Sequence, residues 1–171
     1  NETMQILYWG IEQLQYDVYL NSLNTYYSFF IPTNNAFLEY IDPVSFGKGQ
    51  KNLIIIQGLN VRDIKGAGAS LALMYKIFSK NYRVWFFDRR MFVKDGLTNW
   101  DLAEDIYFAM KELNIESADL LGVSQGGMIA LALTLEHPDR VGKLVLGVTS
   151  SRANPNIQKV VSRWIACAKN N

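Results

Sequence analysis

Residues 122–126 read Gly-Val-Ser-Gln-Gly, and Ser124 between two glycines at this spacing is a candidate nucleophile. A serine hydroxyl can attack a carbonyl carbon and carry the acyl group, provided a base takes its proton. Histidine is the commonest such base. The chain contains one, His137. Whether the two can be partners depends on the elements between them.

The run ADLLGV before Ser124 is a short, mostly apolar strand, and GGMIALALTLEH after it is a helix that Pro138 stops. Ser124 therefore sits on a tight strand-to-helix turn, a nucleophile elbow. There the backbone is expected in a sparsely populated conformation, with the hydroxyl exposed. Gly122 and Gly126 flank the serine because side chains there would strike the turn or the adjoining strand. The helix N-terminus favours developing negative charge. A helix of about twelve residues rises roughly 18 Å, whereas a base must lie within about 3 Å of the serine oxygen. His137, at the far end, is excluded as the base. A histidine at a helix C-terminus, where the dipole favours positive charge, is explained without catalysis.

The elements that must position this turn follow from the hydrophobic pattern. Met4, Leu7, Ile11, Leu14 and Val18 predict an amphipathic helix over 3–20. TYYSFFI and AFLEYID, separated by PTNN, predict two strands and a turn. KNLIIIQ (51–57) and YRVWFFD (82–88) predict strands buried on both faces. SLALMYKIFSKN (70–81) predicts a helix with Leu71, Met74, Ile77 and Phe78 on one side. Thr98 and Asp101 form a capping-box pattern before a helix with Leu102, Ile106, Met110 and Leu113 along one stripe. KLVLGVT (143–149) is a strand, and a last helix starts at Asn154 or Pro155. From residue 51 strands and helices alternate. That predicts an α/β fold with a mostly parallel sheet of about six strands and right-handed crossovers.

With 171 residues, 49% hydrophobic and 19% charged, the chain has the composition of one globular core. A net charge of +1 with scattered Lys and Arg argues against nucleic acid. No apolar run is long enough to predict a membrane span. The first basic residue is Lys48, which leaves the start without a signal peptide's positive region, and a lone cysteine, Cys167, fits a reducing compartment. A cytoplasmic location is expected, and no metal or organic cofactor is implied. Residues 1–47 hold acids (Glu2, Glu12, Asp17, Glu39, Asp42) and no base, which reads as a structural appendage.

Together these segments resemble the α/β-hydrolase fold superfamily, in its esterase, lactonase and haloperoxidase-like branch. The resemblance is carried by LIIIQGLN, by VWFFDRR and above all by LLGVSQGGMIALALTLEHPDRVGKLVLGVTSS. It covers roughly residues 26–171 and implies a partial hydrolase core over 26–152 and the first helix of a cap over 153–171, which leaves 1–25 as an amphipathic helical extension. It implies Ser124 as nucleophile, with the backbone N–H groups of Leu59 and Gln125 as oxyanion donors. Two departures stand out. Gln57 occupies a position where many relatives have histidine, so the bonds bracing that loop must differ. Asp88-Arg89-Arg90 replaces the commoner D-x-R-G-x-G, so the loop there is expected to have its own conformation.

In such enzymes the acid and then the histidine follow the nucleophile in chain order. Here no acid follows Asp139 and no histidine follows His137. The expectation is a serine hydrolase of a small ester, thioester or lactone, inactive as these 171 residues alone. The alternative is a non-catalytic hydrolase-fold module for binding or assembly. Arg62, Asp63 and Lys65 either face a polar substrate or form a solvated loop. The strand at 143–149 is expected to have an open outer edge. Pairing with a second copy, exchange of elements with it, or cover from the helix over 3–20 would close that edge.

Overall fold

The apolar runs at 53–56 and 84–86 become strands that are buried on both faces. The computed structural model describes residues 43–59, 64, 66–90 and 95–169. The helix expected over 3–20, the aromatic strands expected up to residue 42, and Arg62, Asp63 and Lys65 lie outside the described residues. The strands are β1 (Val44–Phe46), β2 (Lys51–Ile56), β3 (Tyr82–Phe86), β4 (Ala118–Val123) and β5 (Val141–Gly147). The helices are α1 (Gly68–Met74), α2 (Asn99–Glu112), α3 (Gln125–Glu136) and α4 (Pro155–Lys169). The sheet has five strands in the order β1-β3-β2-β4-β5, with β1 antiparallel to β3 and the other pairs parallel. The strand β1 was not among those predicted; at three residues it is too short to show a period.

The period of two decides which residue faces which layer. Ile54, Ile56 and Trp85 join one buried cluster with Leu102, Ile106 and Met110 of α2 and Ile129 and Leu133 of α3. Leu53, Ile55, Val84 and Phe86 join another with Leu71 and Ile64. Residues with 0–2% exposure on both faces of β2 explain why its sequence is an unbroken apolar run.

The region 70–81 differs from its prediction. The helix α1 stops at Met74 and a 3₁₀ turn follows at Lys76–Phe78. Leu71 is buried with Tyr75 and Phe78 against it in the same cluster, whereas Met74 and Ile77 are 71% and 81% exposed. Leu71, Tyr75 and Phe78 follow at spacings of four and three, so the buried stripe keeps the helical period but runs through Tyr75 in place of Met74. The Tyr75 ring lies 5.2 Å from that of Phe86 and supplies the contact assigned to Met74. The strand β5 begins two residues earlier than expected and, among the described residues, pairs only with β4. Val145 and Leu146 are 57% and 41% exposed on that edge. Asn154 caps α4 by accepting the Ile157 N–H at 2.9 Å, and no residue of α4 is buried.

The capping box of α2 forms as its sequence predicts. The Asp101 N–H donates to the Thr98 hydroxyl oxygen at 3.3 Å, and the Thr98 N–H donates back to the Asp101 carboxylate at 2.7 Å. The Thr98 hydroxyl bond holds the Asp101 carboxyl below its ordinary pKa. A carboxylate with a lowered native pKa contributes stability above its unfolded pKa and loses it as pH falls through the native value. We predict that Asp101→Asn is less stable than the parent at neutral pH and that the gap closes below about pH 4. Urea titrations across the acid range measure this; a gap independent of pH would contradict it.

Candidate active site

The strand β4 ends at Val123, α3 begins at Gln125, and Ser124 joins them with φ 54 and ψ −123. That conformation is rare for a residue with a Cβ and is held by its surroundings. The Ser124 N–H donates to the Gly147 carbonyl at 2.9 Å, at the end of β5. The Ser124 carbonyl accepts the Gly127 N–H at 3.0 Å and the Thr149 hydroxyl at 2.6 Å. With the backbone fixed, the serine side chain is exposed at the N-terminus of α3.

The glycines are required by distance. A Cβ on Gly126 would lie 2.0 Å from the Ile56 carbonyl oxygen, and one on Gly122 would lie 2.7 Å from the Gly127 Cα. A Cβ on Gly127 would lie 2.5 Å from the Thr149 methyl. The first turn of α3 therefore rests directly on β2, β4 and the segment after β5.

Of the two expected oxyanion donors, Gln125 follows the serine directly in the chain, and Leu59 follows a glycine that packs against it. Gln125 is the first residue of α3, so its N–H has no acceptor four residues back within the helix. Leu59 follows Gly58, where a Cβ would sit 3.1 Å from the Ser124 Cβ. The loop of residues 57–59 thus abuts the nucleophile candidate.

Two adjacent arginines hold this end of the sheet. Arg89 donates through Nη2 to the Gln57 carbonyl at 2.6 Å and the Gly58 carbonyl at 3.1 Å, and through Nη1 to the Gln125 side-chain oxygen. Burial lowers its pKa and the charge of Asp88 opposes that; a guanidinium remains protonated across the working range. Asp88 accepts the Ile64 N–H at 2.8 Å and the Arg89 N–H at 3.0 Å, which ties the far end of the loop to the end of β3. Arg90 makes a two-pronged pair with Asp105 of α2, Nε to Oδ2 at 2.8 Å and Nη2 to Oδ1 at 2.5 Å. Burial raises the Asp105 pKa, and Arg90 works against that rise. The replacement of D-x-R-G-x-G by Asp88-Arg89-Arg90 thus has a definite use, and Arg89 answers what braces the loop in place of a histidine at position 57.

His137 is the C-cap of α3, at the opposite end of the helix from Ser124. Its Nε2 lies 2.7 Å from the Glu104 carboxylate, and its ring stacks on Tyr107 at 3.6 Å and 10°. It clamps α3 to α2. A cavity of ≈ 30 Å³ is lined by Gln57, Gly58, Asp88, Arg89 and Asp105 together with apolar side chains. This space has room for about two waters. The sequence reading missed Arg89 and Thr149 as parts of the site. The available signal was their place just beyond the C-terminal ends of β3 and β5, where parallel sheets gather ligand-binding groups.

The model of the alpha/beta hydrolase fold family matches residues 52–166, and the chain belongs to that family. RutD of Caulobacter sp. (strain K31), which bears the name of a carbamate hydrolase, is 33% identical over 107 residues, covering 59% of this chain and 40% of RutD. A marine microorganism esterase superposes with a TM-score of 0.60 at 26% identity, over 75% of this chain and 50% of its own. The enol-lactonase from Burkholderia xenovorans LB400 superposes with a TM-score of 0.56 at 26% identity, over 66% of this chain and 44% of its own. The chain spans half or less of the length of each of these relatives.

The seating of α3 can be tested at its tightest point. Gly126→Ala must push the helix off the Ile56 and Gln57 carbonyls and is expected to cost about 3 kcal/mol or more. Gly68→Ala meets only the Val44 methyl at 3.5 Å and is expected to be neutral or stabilising by up to about 1 kcal/mol. Equal effects of the two substitutions in urea unfolding would refute this account.

Proposed function

We propose that this chain carries the nucleophile half of a serine hydrolase acting on a small ester, thioester or lactone. The observation that carries the reading is Ser124 itself: an exposed hydroxyl on a strained turn, at a helix N-terminus, with the loop of residues 57–59 against it. Ser124 would attack the substrate carbonyl carbon, and the carbonyl oxygen would become an oxyanion held by the Leu59 and Gln125 N–H groups. Collapse of that intermediate would expel the leaving group, and water would then release the acyl-serine. The names of the relatives, a carbamate hydrolase, an esterase and an enol-lactonase, support a carbonyl substrate carrying a heteroatom leaving group.

The base is the missing part. His137 is the one histidine of the chain, and it is engaged by Glu104 and Tyr107 at the far end of α3. Turnover would need a histidine contributed from outside residues 1–171. The free, exposed Cys167 fits a reducing compartment, and the cytoplasm is the location we propose.

With p-nitrophenyl acetate, the 171-residue chain is expected to hydrolyse no faster than its Ser124→Ala variant, because loss of a triad member removes roughly three or more orders of magnitude of rate. A longer chain that includes a downstream histidine is expected to lose activity by a similar factor on Ser124→Ala. Serine-independent turnover by that longer chain would sink the hydrolase reading.

The second reading, association of copies, is favoured by β5, which pairs only with β4 among the described residues and exposes Val145 and Leu146. The chain is expected to associate as its concentration rises in sedimentation runs, and Val145→Lys is expected to suppress this. A monomer at all concentrations would remove the association reading.

A further inference from the structure

Arg89 touches both halves of the candidate oxyanion site, and its contacts determine a direction. The peptide unit is planar, and in the trans form its C=O and N–H point opposite ways. The described residues contain no cis peptide bond. The Gly58 carbonyl and the Leu59 N–H belong to one such unit. Arg89 Nη2 grips that carbonyl at 3.1 Å and the preceding Gln57 carbonyl at 2.6 Å. Holding both carbonyls fixes the plane and turns the Leu59 N–H away from the guanidinium. The other nitrogen of the same rigid fork holds the side chain of Gln125, the residue that carries the second N–H. The Gln125 amide nitrogen also reaches Asn99 at 3.4 Å, which steadies that side chain from α2.

We propose that Arg89 is a positioning residue: its guanidinium sets the direction of the Leu59 N–H and its spacing from the Gln125 N–H. It acts through the backbone and does not touch substrate. The planar fork is needed because one group must serve two successive carbonyls and a side-chain amide together; an ammonium is a compact point charge on a flexible stem. The positive charge also polarises the Gly58–Leu59 peptide and strengthens its N–H as a donor. The kinetic half of this inference rests on the serine-hydrolase reading; the geometric half does not.

The test uses Arg89→Ala and Arg89→Lys with two readouts, the first in the 171-residue chain and the second in the longer chain that includes a downstream histidine. The first is the backbone amide resonances of Leu59 and Gln125, in which both variants are expected to move these signals and leave the β5 amides in place. The second is hydrolysis of p-nitrophenyl acetate. Arg89→Ala is expected to lower kcat about 100-fold, in line with the loss of one oxyanion donor, while KM changes by less than about threefold. Arg89→Lys, which keeps the charge and most of the volume, is expected to fold normally and still lose about tenfold in kcat. Added guanidinium ion is expected to restore part of the activity of Arg89→Ala and none of that of Ser124→Ala. Leu59 and Gln125 resonances unmoved in the folded lysine variant would overturn the proposal, as would a wild-type kcat in either variant. If Ser124→Ala leaves turnover unchanged, it is the hydrolase reading that fails, and the resonances alone then decide the role of Arg89.

Discussion

The contact between the first turn of α3 and the sheet is the constraint on which the rest of the site depends. The helix can come this close because residues 122, 126 and 127 have no side chains. Once it is seated, the strand-to-helix connection has room for a single residue, and that residue must take positive φ. Strain of this kind costs about 1–3 kcal/mol. The bonds from Gly147, Gly127 and Thr149 to the Ser124 backbone offset it, as does the burial of Ile129, Ala130 and Leu133 to 0–1% exposure. Strain, exposure of the hydroxyl and the aim of the helix N-terminus thus share one steric origin.

Charge is handled by the two arginines after β3. Arg90 is matched to Asp105 in a part-buried, two-pronged pair, so each charge has its partner where water is partly excluded. Arg89 has backbone carbonyls and an amide as acceptors, with Asp88 nearby. The first fastens the segment after β3 to α2; the second fastens the loop after β2 to the start of α3. Residues 57–59 belong to no helix or strand, so their geometry is borrowed from these polar contacts. His137 works in the same manner at the other end of α3, where its stack on Tyr107 and its contact with Glu104 fix the helix pair.

Much of this was legible in the sequence. The turn Gly122–Gly126, the capping box at Thr98, the doubly buried strands and the exclusion of His137 all depend on residues close together in the chain. Leu71 and Phe78 face the core as read, whereas Met74 and Ile77 were misread because the buried stripe runs through Tyr75, four residues after Leu71.

By itself, the sequence determined the alternation of strands and helices, the place of Ser124 on its elbow and the distance that separates it from His137. Periodicity, glycine spacing and helix rise are local properties, set by covalent geometry and backbone sterics. Only the tertiary structure decided who holds the loop at Gln57, what caps the Ser124 carbonyl and where His137 finds its partners. Arg89 and Gln57 are 32 residues apart, Thr149 and Ser124 are 25 apart, and His137 and Glu104 are 33 apart. Side chains so distant meet only after the sheet has set its strand order, and a long polar side chain can reach several acceptors from one backbone position. Its choice among them is made by packing.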